Sequence, residues 1–209
     1  MRPAQVVDFT ELYGENCAGC HGADGTLGAA RPLNDPLYLQ VVGAEKLRQI
    51  SADGVANSLM PGFGPAAGGS LTDQQIDIVV QGMISRWGGG ASPAAGAPAY
   101  ASSAPGNPQR GAGVYATACA GCHGSGGRGG SKGGPIVDGS YLALVSDQAL
   151  RSAVVFGRPD LGMPDWRGTD GGRPLSEQDI ADLVAWMTAR RIPFPGQPYP
   201  VQPASGQSG

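Results

Sequence analysis

Two short clusters decide the fold of this chain, Cys17-Ala18-Gly19-Cys20-His21 and Cys119-Ala120-Gly121-Cys122-His123. Together they hold all four cysteines of the sequence and both of its histidines. No cysteine is left to form a disulfide framework, and no histidine is left for any other site. The histidine that directly follows each second cysteine distinguishes the pattern from a bare Cys-x-x-Cys pair.

The two clusters are part of an internal repeat. The second follows the first by 102 residues, and the same offset relates Tyr13 to Tyr115. Further matches occur in order at offsets of 103 and then 104: Pro32 and Pro135, Asp35 and Asp138, Tyr38 and Tyr141, Gly54 and Gly157, Met60-Pro61 and Met163-Pro164, Leu71 and Leu175, Ile76 and Ile180, Met83 and Met187. Two single-residue insertions explain the drift, so the sequence predicts a duplicated domain.

We predict domains over residues 1–88 and 109–192. Residues 89–108 between them are uncharged and consist mainly of Gly, Ala, Pro and Ser, which is typical of a linker. The linker would let the domains pack together or move between partners. Residues 193–209 contain five prolines and predict a disordered or loosely packed tail.

Each copy predicts a mainly helical domain. First helices are expected near residues 6–16 and 111–118, and middle helices near 44–50 and 146–156. The last helices have the best local evidence, because Thr72 and Ser176 are suitable N-caps with Gln75 placed to complete a capping box in the first copy. Few apolar residues are available for two domains of this size, so a large apolar cofactor is expected to complete each core.

Cys-x-x-Cys-His is the attachment pattern for haem c. Cys17 and Cys20, and likewise Cys119 and Cys122, are spaced to form thioethers with two haem vinyl groups. His21 and His123 then lie under the iron as proximal ligands. Zinc binding or dithiol chemistry is the alternative, but zinc ribbons place their second cysteine pair closer in sequence. The sequence predicts two covalently attached haems.

The sixth ligand cannot be histidine, so it is methionine, a weaker group or nothing. Met60 and Met163 follow the proximal histidines by 39 and 40 residues, and each is followed by proline, which stiffens the loop that would hold the sulfur. We predict these two as iron ligands, although they could instead fill gaps in the core. Met83 and Met187 fall within the last-helix stripes and are predicted to be packing residues.

With these motifs, the sequence resembles class I c-type cytochromes, and in duplicated form the dihaem members such as the cytochrome c4 type and dihaem subunits of respiratory or dehydrogenase complexes. The resemblance implies an all-α fold of two tandem cytochrome c domains. It also implies that a proline after each attachment site, Pro32 and Pro135, offers its carbonyl to the proximal histidine. First and last helices would pack through small and aromatic residues: Phe9, Tyr13 and Trp87, then Gly111, Tyr115 and Trp186.

Histidine and methionine ligation predicts electron exchange without substrate chemistry. The expected partners are redox proteins: a membrane quinol-oxidising complex, a dehydrogenase, or a terminal oxidase or reaction centre. The alternative is a haem enzyme or enzyme subunit, either peroxidase-like or accepting electrons from sulfur compounds or alcohols.

Charge and hydropathy give further expectations. Residues 1–90 carry a net charge of −4 and residues 108–209 of +1, so the domains would attract different partner surfaces. The charge runs are too short for nucleic acid binding. No run of eighteen apolar residues occurs. Because haem c is normally attached outside the cytoplasm, we expect a periplasmic or other extracytoplasmic location, with an export signal or membrane anchor removed before residue 1.

Overall fold

The computed structural model describes residues 3–56, 58–90, 95–168 and 173–192. These residues form nine α-helices and four short 3₁₀ segments, and no strand beyond an isolated bridge between Arg158 and Met163. The all-α prediction is therefore confirmed. No helix in the described ranges has the length and apolar character needed to cross a bilayer. The predicted tail, residues 193–209, lies outside the description.

The first domain contains four helices: α1 (Phe9–Asn16), α2 (Ala18–His21), α3 (Pro36–Asp53) and α4 (Asp73–Trp87). The α3 segment bends at Gly43, where the backbone has φ 74°. Only its second half coincides with the middle helix that the sequence predicts. The cap prediction for α4 is confirmed, because the Thr72 hydroxyl accepts from the Gln75 amide and the Gln75 side chain accepts from the Thr72 amide.

The second domain repeats this order with the middle helix divided in two: α5 (Pro108–Ala118), α6 (Ala120–His123), α7 (Gly139–Leu144), α8 (Asp147–Phe156) and α9 (Glu177–Thr188). Ser176 and Asp179 form the capping box of α9. In both domains the first long helix packs on the last, α1 on α4 and α5 on α9, and the middle helix packs on the last helix too. The cluster-bearing turns α2 and α6 are thus anchored by a rigid helix pair.

The predicted packing of first on last helix is present in both domains. Phe9, Tyr13 and Trp87 form mutual aromatic contacts with ring centroids 5.1–5.8 Å apart. In the second domain Tyr115 stacks on Trp186 at 4.3 Å. Met83 and Met187 are buried in the hydrophobic core, as predicted for packing residues.

Part of the predicted linker lies against the second domain. The Arg151 guanidinium donates to the carbonyls of Ala99 and Tyr100, and the Gln178 side chain donates to the carbonyl of Pro105. Residues 91–94 of the linker fall outside the described ranges. The division of the chain at residues 88 and 109 stays a prediction.

Candidate haem sites

Each cluster lies at the junction of a long helix and a single helical turn. In the first domain α1 ends at Asn16, Cys17 caps it, and α2 carries Cys20 and His21. The second domain repeats this arrangement around Cys119. A tyrosine of the preceding helix fastens each junction: the hydroxyl of Tyr13 donates to the Gly22 carbonyl at 2.9 Å, and that of Tyr115 to the Gly124 carbonyl at 2.6 Å.

The two histidines have the same ring orientation. Nδ1 of His21 lies 2.7 Å from the Arg31 carbonyl, and Nδ1 of His123 lies 2.8 Å from the Gly134 carbonyl. A carbonyl oxygen only accepts hydrogen bonds, so Nδ1 carries the proton in both rings. Nε2 is left with its lone pair, which is the form that binds a metal.

These contacts correct one expectation. The acceptors are the carbonyls of Arg31 and Gly134, which precede Pro32 and Pro135, and not those of the prolines themselves. A proline restricts the residue before it to extended conformations and thereby fixes the direction of that residue's carbonyl. The prolines therefore act on the histidines through the preceding peptide group.

The Nε2 atom of His21 fits a metal ligand. The residue is 9% exposed, and Nε2 is buried without a hydrogen-bond partner among the described residues. An unpaired buried nitrogen is costly unless another group occupies that position. Burial also lowers the pKa of His21, which keeps the ring neutral as iron ligation requires. His123 is half-buried and has the same Nδ1 contact.

The first thiol of each cluster lacks the lowered pKa of a redox-active cysteine. Burial raises the pKa of Cys17 to about 11 and that of Cys119 to about 11 as well. Redox-active cysteines instead have lowered pKa values, since the thiolate is the reactive form. In the described ranges no group of three or more His, Cys, Asp or Glu side chains is placed to hold a metal ion.

Met60 and Met163 lie in loops of matching construction. The Met60 carbonyl accepts from the Val55 amide at 3.0 Å, and the Met163 carbonyl accepts from the Arg158 amide at the same distance. Each loop starts at a glycine with positive φ, Gly54 at 76° and Gly157 at 67°, where a side chain would collide with the methionine peptide. Both methionines are half-buried. Their role as sixth ligands stays a prediction.

Sequence reasoning missed several residues that shape the sites. Arg31 and Gly134 supply the proximal carbonyls, and the repeat gave no signal for them because their side chains differ. Gly54 and Gly157 did give a signal, since they match at the offset of Met60 and Met163. Glycine retained at equivalent positions of two copies is typical of a backbone turn that other residues cannot adopt.

A family model described as cytochrome c oxidase, cbb3-type, subunit III matches residues 4–81 and 106–187. These two regions make up well over half of the chain. The chain belongs to the cbb3-type subunit III family of c-type cytochromes. Membership in the cbb3-type subunit III family implies covalently bound haem c and a role in electron transfer, and the residues described above fit that cofactor.

Several solved structures are similar to the chain, and the first of the three below supports the fold. A reducing HAO-like protein complex from Kuenenia stuttgartiensis, 19% identical, covers 91% of this chain and 99% of its own, with a TM-score of 0.52. SoxXA from P. pantotrophus, 26% identical, covers 44% of this chain and 88% of its own, with a TM-score of 0.35. The thiosulfate dehydrogenase TsdBA from Marichromatium purpuratum, 23% identical, covers 83% and 40%, with a TM-score of 0.32. No curated protein sequence matches the chain.

Proposed function

We propose that the chain is a dihaem electron-transfer cytochrome c, with one haem c in each domain, that relays single electrons between redox partners in a respiratory or photosynthetic chain. The observation that carries the proposal is the repeated histidine geometry: both rings donate through Nδ1 to a carbonyl and keep Nε2 for the iron. Met60 and Met163 are the proposed sixth ligands. When bound, haem supplies a one-electron couple at iron.

The protein's own residues would hold the two proposed ligands of each iron in fixed positions. A fixed imidazole and a thioether sulfur held in a glycine-anchored loop would keep the iron coordination unchanged between oxidation states. Little rearrangement then accompanies a change of charge, which favours electron exchange over substrate chemistry. The proposed partners are a quinol-oxidising complex, a dehydrogenase, or a terminal oxidase or reaction centre, on the extracytoplasmic side of a membrane.

A redox titration followed by absorption, together with a haem count, tests the proposal. The intact chain should contain two haems per polypeptide, both low-spin and slow to bind carbon monoxide. Met60→Ala and Met163→Ala should each lower the potential of one haem and leave the other nearly unchanged. The shift should be a substantial fraction of the roughly 0.8 V range that axial ligands cover.

Met83→Leu and Met187→Leu are the matched controls, because these methionines are buried packing residues. They should leave both potentials near those of the unaltered chain. The ligand assignment would be contradicted if a haem reduction potential fell in Met83→Leu but not in Met60→Ala, or in Met187→Leu but not in Met163→Ala. Rapid carbon monoxide binding by the unaltered protein would favour an enzyme with an open coordination position instead.

A further inference from the structure

The two domains meet through unlike surfaces. The first domain contributes the segment 22–32 after its haem-binding cluster, here called the proximal segment. The second contributes residues 157–163, here called the methionine loop. The Leu27 amide donates to the Asp160 carboxylate at 3.1 Å, and the Arg158 guanidinium donates to the Gly28 carbonyl at 3.3 Å. The segment on the histidine side of the first proposed haem is therefore in direct contact with the segment on the methionine side of the second.

Arg31 is the central residue of this contact. Its Nη2 donates to the carbonyls of Ser152 and Gly157, both at 2.8 Å. Its guanidinium lies 5.0 Å from the ring centroids of both Tyr38 and Phe156. The side chain is only 15% exposed. Its Nη1 donates to the Asp35 carboxylate at 3.3 Å. A planar group held between two rings and hydrogen-bonded through both terminal nitrogens has a single orientation, which a lysine would not reproduce.

The carbonyls that Arg31 binds belong to the end of helix α8. Ser152 lies in its last turns and Gly157 is its C-cap. The Gly157 carbonyl directly follows the last turn, where carbonyls have no partner within the helix, and a cation there is favourable. Arg31 thus supplies, from the first domain, the cationic partner for a helix end of the second domain.

The backbone and the side chain of Arg31 each make a contact that connects to a proposed iron ligand. Its backbone carbonyl accepts from Nδ1 of His21 at 2.7 Å. Its side chain binds Gly157, and the neighbouring Arg158 pairs with Met163 through two backbone hydrogen bonds of 3.0 Å. One residue therefore connects the proximal ligand of the first domain to the methionine loop of the second.

The repeat lacks this connection in the other direction. The residue equivalent to Arg31 at an offset of 103 is Gly134, which has no side chain to reach another domain. The link therefore runs only from the first domain to the loop of the second. Loss of the side chain would remove the hydrogen bonds to the Ser152 and Gly157 carbonyls and would loosen the loop that they anchor.

We infer that Arg31, a residue of the first domain, is a positioning residue that holds the methionine loop of the second domain, and with it Met163, in place. The inference rests on the proposed function, because it assumes that Met163 is an iron ligand. It makes the coordination of the second haem dependent on the domain contact, whereas that of the first haem is complete within its own domain.

Arg31→Lys in the intact, haem-loaded chain is the deciding variant, because it keeps the charge and removes the fork of hydrogen bonds. Electron paramagnetic resonance and a redox titration would follow each centre, with the second assigned as the one that Met163→Ala changes. We expect part of the second centre to lose its low-spin signal and its potential to fall, while the first keeps both. Arg31→Gln should show the same change with a larger amplitude.

Arg48→Gln is the control, because it removes an exposed arginine of the first domain that pairs only within that domain. It should leave both centres unchanged. Asp160→Asn weakens the same contact from the other side, and it should reproduce the effect of Arg31→Lys more weakly even where Arg31→Gln fails to fold.

An Arg31→Lys protein identical to the unaltered chain, or a shift shared equally by both centres, would overturn the inference. A second centre without methionine ligation in the unaltered chain would instead contradict the proposed function.

Discussion

The two domains pack their first helix on their last in opposite ways. In the first domain the ring comes from α1 and the small residue from α4, with Phe9 lying on Gly82. In the second domain the small residue comes from α5, with Gly111 lying on the Asp182 backbone and the Cβ atom of Trp186 in α9. These positions are equivalent in the repeat, at offsets of 102 and 104. Duplication has thus preserved the close helix contact while exchanging the helix that supplies the glycine.

The difference extends to what each glycine touches. A methyl group on Gly82 would overlap the Phe9 ring, whereas one on Gly111 would overlap the backbone carbonyl of Asp182. A side chain can rotate or be shortened, but a carbonyl within a helix cannot move without displacing the helix. We therefore expect the second contact to tolerate change less than the first.

Of the two glycine variants, Gly111→Ala should have the larger effect. We expect a loss of about 3 kcal/mol in the free energy of unfolding, at the upper end of what overpacking usually costs, and no relief from shortening any side chain. Gly82→Ala should cost less, about 1 kcal/mol, because the Phe9 ring can shift. Denaturant unfolding of the haem-loaded protein measures both changes.

A double variant sharpens this test. Phe9→Ala alone should destabilise by about 3 kcal/mol, as is typical for truncating a core phenylalanine. Adding Gly82→Ala to it should cost nothing further, since the ring that it would overlap is gone. Losses of stability that add up in the double variant would show that the Phe9 ring is not what limits Gly82. Equal losses for the two glycine variants would show that overlap with a backbone carbonyl costs no more than overlap with a ring.

A second contrast concerns one arginine of each middle helix. Arg48 and Arg151 are equivalent, and each pairs with an acidic residue of the last helix, Asp73 and Glu177. Arg48 has a 40% exposed side chain, whereas that of Arg151 is 3% exposed beneath the linker carbonyls of Ala99 and Tyr100. The same ion pair is therefore a surface feature in one domain and a buried anchor in the other.

Arg151→Met should accordingly destabilise the protein by about 3 kcal/mol, because it leaves a partly buried carboxylate and two carbonyls without their partner. Arg48→Met should leave the unfolding midpoint close to that of the unaltered chain. Proteolysis of the linker, measured in parallel, should accelerate only in the Arg151 variant. Equal susceptibility in the two variants would mean that Arg151 does not anchor the linker.

The smallest expected effect is a pH dependence confined to the second domain. The Arg110 guanidinium lowers the pKa of Asp182 to about 2, with further donors at the Asn107 amide and the Gln178 side chain. The residue at this position in the first domain is Ile78. An unperturbed aspartate titrates near 3.9, so this carboxylate stabilises the fold above about pH 4 and ceases to do so as the pH falls through about 2.

Asp182→Asn should therefore weaken the protein at neutral pH and reduce the decline in melting temperature between about pH 4 and pH 2. Arg110→Gln keeps the carboxylate and removes its main partner, so it should reduce the same decline. Thermal unfolding followed across this range provides the measurement. A decline as steep as that of the unaltered chain in both variants would exclude Asp182 as its source.

Local signals predicted the parts of each domain that depend on neighbours in sequence. The capping residues Thr72 and Ser176 marked the start of the last helices, and both boxes are present. The first helices began a few residues away from their predicted starts, and the half of α3 before Gly43 was not predicted at all. Short helices that pack around a large cofactor have a weak apolar periodicity, and this explains the miss.

The duplication, the haem attachment pattern and the total of two histidines could be read from the amino-acid sequence, because these depend on residue identity and spacing alone. Three features depend instead on tertiary contacts: the carbonyl that holds each proximal ring, the burial of one of two equivalent arginines, and the reach of Arg31 into the other domain. The contacts between the domains, such as that of Arg31 with Gly157, join residues more than a hundred positions apart. No local pattern encodes them, since the position of a side chain's partner depends on how the two domains dock.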